Sequence, residues 1–393
     1  MKFRKILARG VTGAFALVLT STGVQAQEAL KIGFMAELSG TQGALGQDMY
    51  DGFMLYVRNN GSKLGNRSVE VIKADSQLKP EVGVQLADKL IDKDGVRIIT
   101  GVTFSNVMLA VHGPITQRKV FLIGSNAGPS QNAGKSCSPY FYSTSWQNDQ
   151  QSEVVGNYAT TKGYKRIVTL VPNYQSGFDF VTGFKRFYKT PLVQEIYTPL
   201  NQQDFSAELS KVISLKPDAV FAFYPGGLGV SFLRQYQQAG LLGKIPLLST
   251  STTDAINLPA QRESALGVIT GTAWGPDLPN AANKKFVADF EKAYNRIPSH
   301  YAAQSYDSAQ LLNSAIAKVG GNVTDDLAFM KALKQADFPS VRGKFKFGNN
   351  NFPIQDMNVF EVSKDAKGRV SLKTIATPLK DHKDAYYQEC PLK

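Results

Sequence analysis

Short β-branched or apolar runs alternate with amphipathic segments of helical length from Leu30 onward. This alternation is typical of parallel βαβ units, in which helices cover both faces of a sheet. In the first half the pattern predicts strands at Lys31–Ala36, Val69–Ala74, Arg97–Gly101 and Val120–Gly124, with helices near Gly46–Asn60, Pro80–Lys93 and Asn106–Arg118. A turn-rich stretch from Gly134 to Pro139 then interrupts the alternation and predicts the approach to a crossing between domains.

The same alternation restarts in the second half of the chain. It predicts strands at Arg166–Val171, Val193–Tyr197, Ala219–Tyr224, Ile245–Ser249 and Val268–Trp274, with helices near Asp149–Lys162, Ser176–Tyr188, Phe205–Ser214 and Gly229–Ala239. Later helices and a strand-rich tail are predicted at Ala281–Tyr294, Ala302–Val319, Asp325–Ala336, Lys344–Phe347 and Asn358–Val362. Two similar α/β halves with extra elements at the end predict two doubly wound lobes joined by several crossings, and hence a hinge.

Residues 1–26 have the layout of a cleavable secretory signal peptide, with a basic start, an apolar run from Val11 to Thr20 and a Val-Gln-Ala end at Ala26. A membrane anchor is the alternative, but a span needs about 20 apolar residues and this run is shorter. No cysteine beside the cut offers a site for a lipid. We therefore expect cleavage after Ala26 and a mature protein that is free in the periplasm.

The mature chain, 26 residues shorter than the full 393, is too long for one ordinary core. The expected N-terminal lobe comprises residues 27–147 and 275–345, and the expected C-terminal lobe and tail comprise residues 148–274 and 346–393. Cys137 and Cys390 are the only cysteines in the sequence. In an oxidising compartment this lone pair favours one disulfide over a metal site or a nucleophile, and the bridge would tie the tail to the end of the first domain.

Net charge and motifs exclude two classes of function. The leader carries four of the 44 basic residues and none of the 32 acidic ones, so its removal lowers the net charge from +12 to +8. The basic residues are spread thinly, which does not indicate nucleic-acid binding. The cluster Gly226–Gly229 lacks the dinucleotide-binding spacing, Gly124–Gly128 is not a nucleophile elbow, and the three histidines are far apart. We expect no enzymatic activity, cofactor or metal.

Small, hydrogen-bonding and aromatic residues dominate the loops at the carboxyl ends of the predicted strands, where open parallel sheets bind ligands. Hydroxyls and free N–H groups at helix starts suit an anion such as a carboxylate, and aromatic planes supply the walls of a small pocket. The candidate ligand-binding residues in these loops are Leu38, Phe104, Ser105, Asn126, Ala127, Gly128, Trp146, Tyr174, Tyr224, Gly227, Leu228 and Trp274.

Several short segments, in the expected order, resemble the periplasmic branched-chain-amino-acid-binding protein family, the type I receptors of ATP-driven importers. These segments are Lys31–Phe34 with Leu38–Gly40, Gly101–Asn106, Pro225–Gly227 and Tyr306–Asp307. The resemblance covers nearly the whole mature chain and implies two Rossmann-like lobes, three crossovers, hinge closure on a ligand and delivery to a membrane permease. By position it implies that Ser105 binds a carboxylate and that Asn126 and Gly128 hold the polar head of the ligand.

One departure from the family concerns the ligand. The family's amino-acid binders pair the ligand ammonium with an acidic side chain after this turn, whereas here the matching stretch contains Leu228 and no carboxylate. An unpaired buried ammonium is costly. The stretch from Ser138 to Asp149 and the terminal Cys390-Pro391 resemble the branch that binds aromatic carboxylates such as benzoates and cinnamates. We expect a monomeric binding protein for such a compound; a branched-chain amino acid or amide binder is the alternative, and a secreted enzyme is a third.

Overall fold

A computed structural model describes residues 28–392 and Met1. The predicted signal peptide and its cut after Ala26 lie outside the described residues. No helix in the described part of the chain is long and apolar enough to cross a membrane.

The first lobe is built on a mixed six-stranded sheet within residues 28–392, in the order β2-β3-β1-β4-β5-β6, with the neighbours from β3 to β6 parallel. Its elements are β1 Leu30–Ala36, α1 Gly43–Asn59, β2 Lys63–Leu64, β3 Arg67–Asp75, α2 Pro80–Asp88, β4 Ile98–Gly101, α3 Ser105–Thr116, β5 Phe121–Gly124, α4 Ser130–Ala133 and β6 Phe141–Ser143. Apolar side chains of α2 and α3 pack on one face of the sheet.

The second lobe has a larger sheet, which within the described residues runs β12-β13-β11-β10-β9-β7-β8, with β14 paired to β13. Its elements are α5 Asp149–Thr161, β7 Ile167–Pro172, α6 Gln175–Phe187, β8 Gln194–Thr198, α7 Ser206–Leu215, β9 Ala219–Phe223, α8 Gly227–Gln238, β10 Leu247–Thr250, α9 Leu258–Gln261 and β11 Ile269–Thr272. Side chains of α5 and α6 cover one face, and those of α7 and α8 cover the other.

The late helices return to the first lobe before the chain re-enters the second. They are α10 Ala281–Tyr294, α11 His300–Lys318 and α12 Asp326–Lys334, and the strands β12 Lys346–Phe347, β13 Pro353–Lys364 and β14 Val370–His382 follow. Residues of α11 and α12 join the core that α1 forms on the first sheet. The chain thus crosses between the lobes after β6, after β11 and before β13, and this arrangement confirms the predicted α/β fold of two lobes.

A buried arginine, Arg342, forms hydrogen bonds with residues near these crossings. Arg342 donates to the Ser145 carbonyl over 2.8 Å and to Gln355 Oε1 over 2.8 Å, and it pairs with Asp307 at 3.0 Å. Asp307 belongs to the Tyr306-Asp307 pair noted in the sequence. Its carboxylate therefore holds the hinge region rather than a ligand.

The C-terminal tail passes back to the first lobe, where Cys390 and Cys137 form a disulfide. Tyr386 of the tail donates from its hydroxyl to Asp149 Oδ2 of the second lobe over 2.9 Å. The tail therefore contacts both lobes. The residue-level boundaries predicted for the lobes remain a prediction.

Two strands at the ends of the sheets differ from expectation. β14 is a 13-residue strand that the sequence pattern does not indicate, because it is an edge strand in which only Ser371 and Leu372 are buried. β6 is three residues long, begins at Phe141 directly after the turn-rich stretch that ends at Pro139, and was not predicted. The predicted helix Pro80–Lys93 is an α-helix to Asp88 and continues as one π-helical segment from Lys89 to Lys93.

Candidate ligand-binding site between the lobes

The carboxyl ends of the parallel strands in both sheets face a narrow cavity between the lobes. Its volume is about 20 Å³, which is room for one water molecule. Both lobes and the first crossing contribute its walls, which are Leu45, Thr103, Phe104, Asn126, Ala127, Trp146, Asn148, Tyr174, Ser176, Phe180, Phe223, Pro225, Ser251 and Tyr301. This is the position at which open α/β sheets bind ligands.

Two helices, one from each lobe, begin at this cavity. Helix α3 begins at Ser105 and α6 begins at Gln175, and within the described residues no side chain at either N-cap bonds to the helix start. The first N–H groups of a helix lack partners inside it and carry a partial positive charge. Ser176 Oγ donates to Ser105 Oγ over 2.8 Å, so the two helix starts meet across the lobe boundary. This geometry suits an anionic group.

Asn148 of the first crossing connects the two helix starts. Its Nδ2 donates to Ser105 Oγ over 3.1 Å and to Asp179 Oδ2 over 2.9 Å, and its Oδ1 accepts from the Gly128 N–H over 3.1 Å. Asp179 also accepts from the hydroxyl of Ser130 in the first lobe, over 2.9 Å. Burial raises the pKa of Asp179. A hydrogen-bond network therefore spans both lobes behind the cavity.

Aromatic rings form flat walls in the same cavity. The rings of Tyr174 and Phe223 lie nearly parallel, with centroids 6.3 Å apart and an interplanar angle of 20°. Phe104 lies 6.3 Å from Tyr174 on the first-lobe side, and Phe180 packs edge-on against Phe223 at 4.2 Å. Such walls suit a flat apolar body.

The side chains that line the cavity are uncharged. Acidic groups lie behind the wall instead: Glu37 is buried and accepts from the Ser76 hydroxyl over 2.7 Å, and burial raises its pKa. No group of three or more potential metal ligands occurs among the described residues. The site thus offers hydroxyls, amides and helix starts, but no lining carboxylate that could pair with an ammonium.

Most of the predicted site residues are brought together here. Phe104, Asn126, Ala127, Trp146 and Tyr174 line the cavity, and the hydroxyl of Ser105 lies within hydrogen-bond distance of Ser176 and Asn148 in its wall. The Gly128 N–H donates to Asn148, so this glycine supports the network rather than facing the cavity. A Cβ at Gly128 would lie 2.0 Å from the Trp146 carbonyl oxygen, which explains why glycine occurs at this close approach.

The placement expected for Tyr224, Leu228 and Trp274 is corrected by the structure. Tyr224 and Leu228 lie in the core of the second lobe, where Tyr224 packs on Phe205 at 4.7 Å. Successive residues of an extended chain point to opposite sides, so Phe223 faces the cavity and Tyr224 faces away. Trp274 is buried against α10, and its Nε1 donates to Asn283 over 2.7 Å.

Two further predicted residues lie near the cavity without lining it. Leu38 packs on the first-lobe core, and its N–H donates to Asp75 Oδ1 over 2.9 Å. Gly227 lies at the lobe boundary, where an added Cβ would be 3.1 Å from the Thr41 carbonyl oxygen.

The candidate list omits nine lining residues. Five of them lie within two positions of a predicted residue, namely Thr103, Asn148, Ser176, Phe223 and Pro225, whereas Leu45, Phe180, Ser251 and Tyr301 come from other parts of the chain. Ser176 could have been recognised, because it lies in the first turn of a predicted helix after a strand. Tyr301 could not, because its helix α11 reaches the cavity only through the return of the chain to the first lobe.

A larger cavity of about 690 Å³ lies on the flank of the lobe boundary. Trp274, Asp254 and several arginines line it. Arg296 is paired there with Asp51 at 2.6 Å, and Arg369 is paired with Glu291 at 2.9 Å. The smaller cavity is the candidate ligand site, because it lies between the strand ends of both sheets and combines the uncapped starts of α3 and α6 with aromatic walls.

Two α/β lobes joined by three crossings, with a cavity between the strand ends, define a two-lobed binding protein. The family model described as periplasmic binding protein matches residues 29–368. The chain therefore belongs to this family.

Similar proteins cover almost the whole chain. The Leu/Ile/Val-binding protein homolog 6 of Brucella melitensis is 29% identical over 375 residues, which are 93% of this chain and 95% of that protein. A solute-binding protein of an ABC transporter from R. palustris, solved with benzoate, is 32% identical, with a TM-score of 0.86 over 93% of this chain and 100% of its own. Another, from R. palustris BisB5 with 3,4-dihydroxybenzoic acid, is 29% identical, with a TM-score of 0.84 over 91% of this chain and 99% of its own.

Proposed function

We propose that this chain is the periplasmic solute-binding protein of an ABC-type importer and that it captures an aromatic carboxylate between its lobes for delivery to the permease. It works as a monomer and catalyses no reaction. The leader over residues 1–26 sends it to the periplasm and is removed after Ala26.

The observation that carries this proposal is the uncharged cavity with two helix starts. A carboxylate placed at Ser105 and Ser176 receives hydroxyl hydrogen bonds and lies near the positive ends of α3 and α6. The flat body of the ligand lies between Phe104, Tyr174 and Phe223. The similarity to two R. palustris proteins solved with benzoates supports the same ligand class.

A branched-chain amino acid is the second candidate, because the Brucella relatives carry the name Leu/Ile/Val-binding protein homolog. Its carboxylate would fit the same helix starts. Its ammonium, however, would face a cavity whose lining has no acidic side chain. A buried unpaired charge costs several kcal/mol, so we favour the aromatic acid.

Ligand entry requires the lobes to separate. A cavity of about 20 Å³ admits one water molecule, whereas even benzoate has several times that bulk. In this opening the starts of α3 and α6 move apart. The crossings that Arg342 holds together act as the hinge, and Asn148 lies on the first of these crossings.

A thermal-shift panel tests the ligand class. Benzoate, 4-hydroxybenzoate, cinnamate and coumarate are compared with leucine, isoleucine, valine and phenylalanine. A ligand at 100 times its Kd stabilises the native state by about 2.7 kcal/mol, enough for a visible shift. We expect shifts among the aromatic acids only. A shift with leucine and none with any aromatic acid would overturn the proposal in favour of the second candidate.

A further inference from the structure

The end of the cavity away from the two helix starts is polar. Ser251 and Tyr301 line it, and Ser251 follows β10 directly. In the sheet, β9 separates β10 from β7, which leads into Ser176. Adjacent strands lie about 4.8 Å apart, so the ends of β10 and β7 are separated by about 10 Å. A single benzene ring with polar groups on opposite carbons, hydrogen-bonded at both ends, spans a distance of this order.

A buried polar atom lies without a hydrogen-bond partner next to this end of the cavity. Ser251 donates to Gln151 Oε1 over 3.4 Å, and Nε2 of the same fully buried side chain has no partner among the described residues. Buried polar groups in proteins are nearly always paired, so this amide requires an explanation.

The backbone at Ser251 is also unusual. Its φ is +50°, in the left-handed region that residues other than glycine seldom adopt. Such conformations are concentrated at functional sites, where the surrounding structure holds them in place. The β10 end therefore combines a strained, cavity-lining hydroxyl with an unpaired amide directly behind it.

We infer that the ligand is a para-hydroxylated aromatic acid and that Ser251, supported by Gln151, binds its ring hydroxyl. This inference rests on the proposed function, because it takes the carboxylate to lie at Ser105 and Ser176. The Ser251 oxygen accepts a hydrogen bond from the ring hydroxyl, while the Ser251 hydroxyl donates its own hydrogen bond to Gln151 Oε1. A ring without this hydroxyl leaves the polar end of the cavity unpaired.

Calorimetric titration with 4-hydroxybenzoate, benzoate and 4-fluorobenzoate tests the inference on the wild-type protein. The fluoro compound fills similar space without a proton to donate. We expect 4-hydroxybenzoate to bind at least about tenfold more tightly than either analogue, as the loss of one buried hydrogen bond implies. Equal affinities for the three acids would overturn the inference while leaving the proposed function intact, whereas no binding of any of them would count against the proposed function itself.

The variant Ser251→Ala locates the effect. It should lose most of the preference for 4-hydroxybenzoate while its affinity for benzoate stays within about twofold, since benzoate makes no bond at this end. Ser264→Ala, on the surface of the second lobe, is the matched control and should keep the preference. A preference that survives unchanged in Ser251→Ala would assign the ring hydroxyl to another group. Because the wild-type comparison needs no variant, the test stands even where Ser251→Ala folds poorly.

Discussion

Ser176 Oγ donates to Ser105 Oγ over 2.8 Å, and the two residues belong to different lobes. Each lies in the first turn of a helix whose N–H groups point toward the cavity. A carboxylate that binds both serines joins the lobes, because it replaces this direct contact with bonds to each side. Ligand capture and lobe closure are then the same event.

The first prediction concerns the variants Ser105→Ala and Ser176→Ala. Each should weaken binding of an aromatic carboxylate by about 1.5–3 kcal/mol, the value of a hydrogen bond to a charged group. Isothermal titration measures the loss, and the double variant should lose less than the sum because both hydroxyls serve one carboxylate.

The matched control is Ser210→Ala, an exposed serine within α7 whose hydroxyl donates, within residues 28–392, to the Ser206 carbonyl alone. It should leave the affinity unchanged. Wild-type affinity in both Ser105→Ala and Ser176→Ala would place the carboxylate elsewhere.

A second prediction concerns closure of the lobes where Gly226 of the second lobe meets Gln42 of the first lobe. Gly226 has a φ of +58°, and an added Cβ would lie 2.1 Å from Gln42 Oε1 of the first lobe. Gly226→Ala should therefore displace the Gln42 side chain, break the hydrogen bond from its Nε2 to the Pro225 carbonyl across the lobe boundary, and weaken ligand binding by about 0.5–1.5 kcal/mol. Gly243→Ala separates backbone strain from closure, because Gly243 has a φ of +77° but nothing within 4 Å of its Cβ position. It should cost about 1–2 kcal/mol of stability and leave affinity unchanged. Equal affinity losses in the two variants would show that strain, not closure, is responsible.

The third prediction concerns the disulfide between Cys137 and Cys390, which closes a loop over a sequence separation of 253. Replacing both residues by serine should cost about 2–4 kcal/mol of stability, because the unfolded chain regains conformational freedom. The midpoint of thermal unfolding should fall, and a reducing agent should lower the wild-type midpoint equally while leaving the variant unaffected. Two free thiols in oxidised wild-type protein would contradict the bridge.

The fourth prediction concerns Asp254, where burial raises the pKa to about 7. The folded state thus holds a proton that the unfolded state, with an ordinary pKa near 3.9, releases earlier. The neutral carboxyl contributes its stability fully below about pH 4, and that contribution is lost as the pH rises through about 7, by up to about 4 kcal/mol.

Asp254→Asn tests this pH dependence, because the amide mimics the neutral acid and keeps an oxygen for the N–H groups of Ile256 and Asn257, now at 2.9 and 3.1 Å. The free energy of unfolding of the variant should match the wild type near pH 4 and exceed it at pH 8. A difference between the two proteins that does not change with pH would show that Asp254 is charged in the folded state.

Alternating patterns predicted the parallel strands and their helices because those strands are buried on both faces and read as apolar runs. β7 shows this, since every residue of Ile167–Pro172 is buried. β14 escaped prediction because its exposed side chains follow no apolar pattern, and its position depends on pairing with β13. The pairing of β14 with β13 cannot be predicted from the residues of β14 alone.

The site was predictable where one loop supplies several of its residues, as with Phe104 and Ser105 at the start of α3. It was not predictable where one position decides which side a residue faces. Phe223 and Tyr224 are adjacent aromatics at the end of β9, yet of these two only Phe223 lines the cavity. Ser251 and Tyr301 reach the cavity from distant segments, so their contribution depends on the whole fold.

A crystal structure of the protein with 4-hydroxybenzoate would locate both ends of the bound ligand. We predict that the carboxylate lies between the starts of α3 and α6, with its oxygens within about 3 Å of Ser105 Oγ and Ser176 Oγ, and with its ring against Tyr174 and Phe223. A carboxylate bound in the flanking cavity, or one oriented away from both serines, would contradict the account.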